Sequence, residues 1–422
     1  MTKVAASLGT RPAAFLRALG LRERCLYRYS VRNPLLFVLA AEFDAALDAH
    51  LIGDALYAVQ CRHPLLSAHV EDDPDAGLGF YRADTVASIG LTFLRDAEQD
   101  WQAIAAQELT RPFDPATAPL MRATLVTQAN SSTLLLTFDH VISDGISSVW
   151  VLNDLLAALS GQPLPPLPLP DSLEDLATRR FDPVQITAIP TDAGDPRMGV
   201  PTTIRAFDAS PPYSHRVAMD HDATARLVAR CREERTTVHA AIVAAASRVR
   251  GAVCDEDFVR TYSPINARNL VAQGPGCCLS ISFACTGMAP GDGSAFWCQA
   301  RQTGDLLKGM RSSAALMLGS AVIEEYLPID ADCGAAEHFL RTVLPFELTI
   351  TNLGVQSVPA SRPIRPRAIW GPVVLTQIAG EYVTGVVTYD GQLRMTTCAH
   401  MPTAQFLENV CEILVYESGY RR

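Results

Sequence analysis

The architecture of this chain turns on residues 133–147, Thr133-Leu134-Leu135-Leu136-Thr137-Phe138-Asp139-His140-Val141-Ile142-Ser143-Asp144-Gly145-Ile146-Ser147. Their first six members are a short apolar run of strand length. Before them the polar break Gln128-Ala129-Asn130-Ser131-Ser132 separates a second such run, Leu120 to Val126, so the two read as a hairpin. After Gly145, Leu152, Leu155, Leu156 and Leu159 recur at i, i+3, i+4 and i+7, the period of an amphipathic helix, which stops at Gly161. His140 therefore stands where a strand ends and a helix is about to begin.

A histidine in that place can present an imidazole to a cleft with a pKa near the operating pH, as a general base for an alcohol or amine nucleophile requires. Asp144, four residues on, would sit in the turn, where a carboxylate can pair with an arginine. Gly145 permits a close backbone approach that a Cβ would block. Taken alone, His-x-x-x-Asp has a plainer reading as well: a satisfied surface histidine beside an aspartate that caps the helix.

Working outward, Leu35 to Ala41 reads as a buried strand. Ile52, Leu56 and Val59 mark a helix over 46–61 that ends at Arg62-His63-Pro64, and residues 65–70 alternate like a strand. Residues 162–170, QPLPPLPLP, favour an extended polyproline segment and look like a tether between two lobes. Beyond it, Thr224, Leu227, Val228 and Cys231 share a helical face, and Thr236 or Thr237 can cap a second helix carrying Val238, Ala241, Ile242, Ala245 and Val249. Short strands are expected at 258–264, 279–284, 346–352, 373–378, 382–389 and 393–398. Helices and strands alternate in both halves, which makes the class α/β in two lobes: 1–161, a proline-rich linker at 162–185, and 186–422.

The 422 residues are 48% hydrophobic and 19% charged, and a net charge of −10 has the wrong sign for a protein that binds nucleic acid. The longest apolar runs are far short of the roughly 20 residues needed to cross a bilayer. The first twenty residues lack a signal-peptide core. The eleven cysteines form no CxxC pair, so a cytoplasmic location with thiols buried as small core hydrophobes is expected. Neither a GxSxG elbow, a phosphate loop, an HExxH helix nor a GxGxxG turn occurs, and no third ligand lies near His140 in sequence to suggest a metal site.

The segment from Phe138 to Ser147 resembles the HHxxxDG signature of the superfamily that contains chloramphenicol acetyltransferase, nonribosomal condensation domains, polyketide-associated (phthiocerol dimycocerosyl transferase-like) acyltransferases and alcohol O-acyltransferases. Further segments agree, in the family's order. Arg62-His63-Pro64-Leu65-Leu66 resembles its RHPxL turn, and Pro112-Phe113-Asp114 with Pro119-Leu120-Met121-Arg122 its PFDxxxxPLxR stretch. Thr237-Val238-His239-Ala240-Ala241 resembles TVHAA, Ser263-Pro264-Ile265-Asn266-Ala267-Arg268 the PVDLR element, and Thr351-Asn352-Leu353-Gly354 the TNLG strand end.

The resemblance implies a two-lobed chloramphenicol acetyltransferase-like fold, each lobe a mixed sheet with flanking helices, and a tunnel between the lobes with His140 at its middle. It implies that His140 is the catalytic base, that Asp144 is structural and salt-bridged to Arg268, and that Gly145 and Asp139 support the motif. Asn352 could donate to the oxyanion or simply cap its strand. Asp139 replaces the first histidine of the signature, and its carboxylate could raise the pKa of His140. The DFGWG element of full condensation domains is not visible, Ile369-Trp370-Gly371-Pro372 being at best a remnant. The implied function is O-acyl transfer from a thioester donor, an acyl carrier protein or acyl-CoA, to a small-molecule alcohol in polyketide, lipid or other secondary metabolism, by a monomer without cofactor or metal. An amide-forming condensation enzyme and a catalytically silent scaffold are the alternatives.

Overall fold

A computed structural model of the chain describes residues 13–96, 99–182, 195–359 and 362–419. The opening residues 1–12 and the end of the expected linker, 183–185, lie outside the described residues. In chain order the first half comprises β1 (Ala14–Ala18), α1 (Leu21–Ser30), β2 (Leu36–Phe43), α2 (Ala49–Arg62), β3 (His69–Asp73), β4 (Gly77–Arg82) and β5 (Gly90–Arg95). Then come α3 (Trp101–Glu108), β6 (Met121–Thr127), β7 (Ser132–Asp139), α4 (Gly145–Leu159) and α5 (Leu173–Arg180).

The second half runs β8 (Tyr213–Ala218), α6 (His221–Glu233), α7 (Val238–Cys254), β9 (Val259–Asn266), α8 (Arg268–Val271), β10 (Ile281–Met288), α9 (Phe296–Met310), α10 (Ser313–Tyr326) and α11 (Cys333–Thr342). It closes with β11 (Leu348–Gln356), β12 (Ala368–Val374), β13 (Tyr382–Tyr389), β14 (Gln392–Ala399) and α12 (Ala404–Glu417). Two principal sheets result, β12-β2-β7-β6-β5 and β10-β9-β11-β13-β14-β8, with a small third sheet β1-β4-β3.

The expected hairpin is β6–β7, antiparallel with Met121 opposite Phe138. Its other edge pairs with β2, Leu36 opposite Asp139, so the strand that delivers His140 lies inside the sheet. Every residue of β2 is buried, as a central strand covered on both faces requires. In the second lobe α7 is the central helix. Thr237 caps it by accepting from Ala240 N at 3.1 Å, and Ala240 to Ala246 are all buried beneath flanking helices and sheet.

Several expectations are corrected. The helix expected over 46–61 is α2, which begins at Ala49 because the Asp48 carboxylate caps it by accepting from His50 N (2.7 Å) and Leu51 N (3.3 Å). Residues 64–67 form a 3-10 turn led by Pro64, and the strand expected over 65–70 starts only at His69. The strand expected at 373–378 is β12, shifted back to Ala368–Val374. The tether at 162–170 is extended but strapped to the first lobe: Arg62 Nη1 donates to Pro165 O (2.6 Å), Leu167 N to Arg62 O (2.8 Å) and Arg17 Nε to Pro170 O (2.7 Å). All eleven cysteines are free, but five are half-buried and Cys61 is exposed, so only five are fully buried core residues.

The first sheet is also not confined to residues 1–161. β12 crosses back and pairs antiparallel with β2, Trp370 opposite Ala40, completing the first sheet from the far end of the chain. The Ile369-Trp370-Gly371-Pro372 stretch is this crossover; Gly371 takes φ 112°, and a Cβ there would lie 2.8 Å from Val38 O. In the opposite sense α1 packs its Cys25 and Tyr29 against Ile323 of α10 and Phe339 of α11. Two exchanged elements thus clasp the lobes across the cleft into which His140 emerges. Among the described residues no helix is long and apolar enough to cross a membrane.

Candidate active site

His140 leaves the end of β7 with its N–H bonded to Leu35 O at 3.0 Å. The chain turns at once, and Ser143 O returns to within 2.9 Å of His140 Nδ1. A carbonyl can only accept, so Nδ1 carries the proton and Nε2 keeps its lone pair. The imidazole is half-buried against Phe37, with ring centroids 5.0 Å apart. Burial lowers its pKa below the usual 6.5, the charge of Asp144 opposing only in part, so the ring is neutral at pH 7. A neutral imidazole with a fixed tautomer and an open Nε2 is the form that accepts a proton.

Asp144, four residues on, both caps a helix and pairs with an arginine. Its Oδ1 accepts from Ser147 N at 2.9 Å and starts α4, while Oδ2 accepts from Arg268 Nη1 and from Ser280 N, both at 2.8 Å. Asp144 and Arg268 are 1% and 2% exposed, a buried pair rather than a solvated one. Arg268 Nη2 reaches Ser147 Oγ (2.7 Å) and Cys278 O (3.1 Å), and its guanidinium lies 4.9 Å from the centre of the Trp150 ring. Gly145 is needed for space: an added Cβ would lie 2.5 Å from Leu353 Cδ2. The turn that holds His140 is therefore fixed from α4, α8, β10 and β11 at once.

One expectation fails here, and of the two readings of Asn352 the strand-end cap holds. Asp139 does not act on His140. Its Oδ1 accepts from Val141 N at 2.9 Å, and burial pushes its own pKa up to about 6, opposed in part by that bond and by the charge of Arg122. It fastens the start of the turn and brings no counter-charge to the imidazole, whose pKa falls rather than rises. Asn352 is turned away from the cavity, its Oδ1 accepting from Gly354 N at 2.8 Å as a strand-end cap. The alternation of β11 puts Thr349 and Thr351 on the cavity face instead. Thr349 is buried, and among the described residues its hydroxyl has no hydrogen-bond partner. The alternation in Leu348-Thr349-Ile350-Thr351-Asn352 is the sequence signal that points to Thr349 once Asn352 is placed on the other face.

The cavity lies between the lobes and opens to solvent, with about 770 Å³ of empty space counted to its mouth. His140, Asp144 and Gly145 form its floor, Leu35, Phe37 and Pro372 one side, and Tyr262, Phe346 and Thr349 the other. Most of the lining is apolar, with Tyr29, Tyr262, Thr349, Thr351 and Thr376 adding a few polar groups, the usual composition of a site for an organic substrate.

The other family-like segments brace this floor. His63 Nε2 meets Asp154 Oδ2 at 2.9 Å and its Nδ1 accepts from Cys277 N at 3.1 Å, joining α2, α4 and the segment before β10. Arg122 stacks on Phe113 at 4.4 Å and pairs with buried Glu108. His239 meets Ser263 Oγ at 2.9 Å, with burial lowering its pKa to about 4. Burial also pushes the Cys278 thiol up to about 11, so it stays protonated and unreactive. Among the described residues no group of three or more His, Cys, Asp or Glu could hold a metal ion.

A family model for the condensation domain matches residues 37–182, the part of the chain that carries β2, β7, His140 and α4. Those residues resemble a condensation domain. It is 30% identical over 136 residues to tyrocidine synthase 2 of Brevibacillus parabrevis, covering 31% of this chain and 4% of that one. It is 38% identical over 78 residues to tyrocidine synthase 3 of the same organism, 18% of this chain and 1% of that one. The chain thus spans only a few per cent of the length of the curated relatives it matches.

Solved structures are similar over almost the whole chain. Polyketide synthase associated protein 5 from Mycobacterium tuberculosis superposes with a TM-score of 0.69 at 18% identity, covering 98% of this chain and 100% of that one. The first condensation domain of the calcium-dependent antibiotic synthetase, bound to a substrate analogue, gives 0.69 at 12% identity over 96% and 97%. These likenesses establish the fold: two lobes of condensation-domain type.

Proposed function

We propose that this protein is a His140-dependent acyltransferase that moves an acyl group from a thioester to a hydroxyl, forming an ester. The observation that carries the reading is the imidazole with Nδ1 bonded to Ser143 O and Nε2 free at the floor of the apolar cavity. In the reaction the acceptor oxygen attacks the thioester carbonyl while Nε2 takes its proton. The tetrahedral oxyanion collapses, the C–S bond breaks, and the thiolate leaves with the proton returned by the imidazolium. The products are an ester and a free thiol. The unpaired hydroxyl of Thr349 on the cavity wall is the donor for the oxyanion. Asp144 and Arg268 position the turn and take no part in proton transfer.

The donor is a carrier-protein thioester or acyl-CoA, in keeping with the carrier-bound substrates on which condensation domains work. A cytoplasmic monomer that needs no metal or cofactor completes the reading. An amine acceptor is the second reading, favoured by the synthases and the nonribosomal peptide synthetase among the sequence relatives. The separating experiment offers acyl-CoA and acyl-carrier thioesters to the protein with alcohol and amine acceptors, and identifies products by mass. Ester formation supports the proposal, amide formation alone replaces it with the second reading, and no acceptor-dependent thiol release from any donor leaves a scaffold.

A further inference from the structure

One polar group on the cavity wall takes no part in the proton transfer described above. β12 ends beside the start of β2, Val374 opposite Phe37, and β2 starts beside the end of β7, Leu36 opposite Asp139. Thr376, just past β12, and His140, just past β7, therefore leave the same edge of the sheet two strand spacings apart, about 10 Å, and both line the cavity. Glu381 stands outside the lining and is 2% exposed. Its Oε1 accepts from Thr376 N (2.9 Å) and Ile378 N (3.2 Å), whereas Oε2 accepts from a single group, the Thr376 hydroxyl. Tyr29 OH donates to Thr376 O at 2.5 Å, so the threonine backbone is held on both sides and only its hydroxyl proton can turn.

Two backbone donors on Oε1 leave Oε2 as the oxygen that takes a proton. As a carboxylate, Glu381 draws the Thr376 O–H to itself, and Oγ1 has only lone pairs left for the cavity. As an acid, Oε2 donates, Oγ1 accepts, and the threonine proton is released to a partner in the cavity. Burial pushes the Glu381 pKa up to about 7 against the Thr376 hydroxyl and the N–H groups of Thr376, Gln377 and Ile378, so the acid prevails below about 7 and the carboxylate above. Among the described residues, the titratable and charged groups around it are Tyr29 of α1, Cys398 of β14, Arg250 of α7 and Arg205. Burial pushes the Tyr29 phenol and the Cys398 thiol up, the charge of Glu381 adding to both and that of Glu337 from α11 to Tyr29, so both stay neutral. Arg250 donates to Gly380 O (2.7 Å) but pairs with Glu256, and Arg205, whose N–H bonds Gln377 O, pairs with Asp208.

We propose that Thr376 is a specificity-determining residue for the substrate chain that passes it, offering lone pairs when Glu381 is ionised and an O–H when Glu381 is protonated, with Glu381 as its positioning residue. The group recognised in the protonated state is an ether or carbonyl oxygen remote from the reacting centre. The proposal rests on the acyl-transfer reading above.

The test compares kcat/KM for 6-methoxyhexan-1-ol with that for octan-1-ol, and for 7-methoxyheptanoyl-CoA with that for nonanoyl-CoA, from about pH 5.5 to about pH 8.5. Each pair exchanges one methylene for oxygen and shares His140, so the ionisation of the base cancels in the ratio. In the wild type the ether-to-alkyl ratio of one pair falls about three- to tenfold as pH rises through about 7, because the ether loses its donor. The responding pair identifies whether acceptor or acyl chain reaches the wall. In Glu381→Gln the amide Nε2 donates permanently to Oγ1, and the ratio stays at its low-pH value. Thr376→Val makes it flat, and Thr376→Ser restores the pH dependence. Flat ratios for both pairs in the wild type, or a dependence that survives Thr376→Val, overturn the proposal. Calorimetric titration with the same four compounds separates this from failure of the transferase reading. A pH-dependent ratio of Kd values that Thr376→Val abolishes, with no thioester turned over, upholds the wall group and refutes acyl transfer; turnover with flat ratios refutes the wall group alone.

Discussion

Replacing Arg268 by alanine leaves Asp144 as a buried carboxylate whose remaining partners are the Ser147 and Ser280 N–H groups. The lost bonds are those to Asp144 (2.8 Å), Ser147 Oγ (2.7 Å) and Cys278 O (3.1 Å), together with the stacking on Trp150. Removing one partner of a buried pair costs about 3–5 kcal/mol, more than the pair's net worth, because the other charge stays desolvated. With an unfolding entropy of about 2.1 cal/mol/K per residue over 422 residues, this lowers Tm by at least about 3 °C. Asp144→Asn removes the same pair from the other side, so the double variant is expected to lose less than the sum, with a coupling of about 1–3 kcal/mol. Since Asp144 follows the residue whose carbonyl fixes Nδ1, thiol release by Arg268→Ala should fall in kcat with KM little changed. Scanning calorimetry on the four proteins and initial-rate kinetics read both effects. A Tm within about 1 °C of wild type and a coupling below about 0.5 kcal/mol would refute the clamp, and a lowered Tm with unaltered kcat would refute its positioning role.

Three further outcomes are expected. Thr349→Val keeps the shape and deletes an unpaired hydroxyl, so urea unfolding should show equal or slightly higher stability, while kcat falls about 10²–10³-fold; unchanged kcat removes Thr349 from the oxyanion site. Gly145→Ala drives a Cβ into Leu353 and should cost about 1–3 kcal/mol, recovered in part by adding Leu353→Ala; a single variant as stable as wild type contradicts the close approach. Glu381 is buried, accepts from Thr376 N (2.9 Å), Thr376 Oγ1 and Ile378 N (3.2 Å), and has its pKa pushed up to about 7, chiefly by burial. Its folded form holds a proton that the unfolded chain releases near 4.5. That stabilisation is complete below about 4.5 and is lost as pH rises to about 7, a change of about 3 kcal/mol that Glu381→Gln should abolish in pH-dependent urea titrations. A pH profile identical to wild type would contradict it.

Local patterns carry the sequence reading furthest. The β6–β7 hairpin, the leucine period of α4 and the caps at Asp144 and Thr237 are short-range, and the first two suffice to place His140 at a strand end. What escapes depends on distant partners. α1 reads as a polar segment, Leu-Arg-Glu-Arg, yet Arg22 and Glu23 are buried because Glu174 and Arg17 meet them from other elements. Nothing within Ala368–Val374 says that it joins the sheet of β2 rather than that of β13, since strand partnership is non-local. Asn352 and Thr349 differ only in which face of β11 they occupy, and that face is set by the register with β13 and β9. The expectation for Asp139 fails for a similar reason: adjacency in sequence suggests a counter-charge, whereas the carboxylate turns back to Val141 N.

The proposed catalysis depends on His140 Nε2 removing the acceptor's proton. The decisive experiment is acceptor-dependent thiol release from a turned-over thioester, comparing wild type with a His140→Ala variant of matched thermal stability. Loss of the base should lower kcat/KM about 10²–10⁴-fold; a variant within about tenfold of wild type would show that the proton leaves by another route.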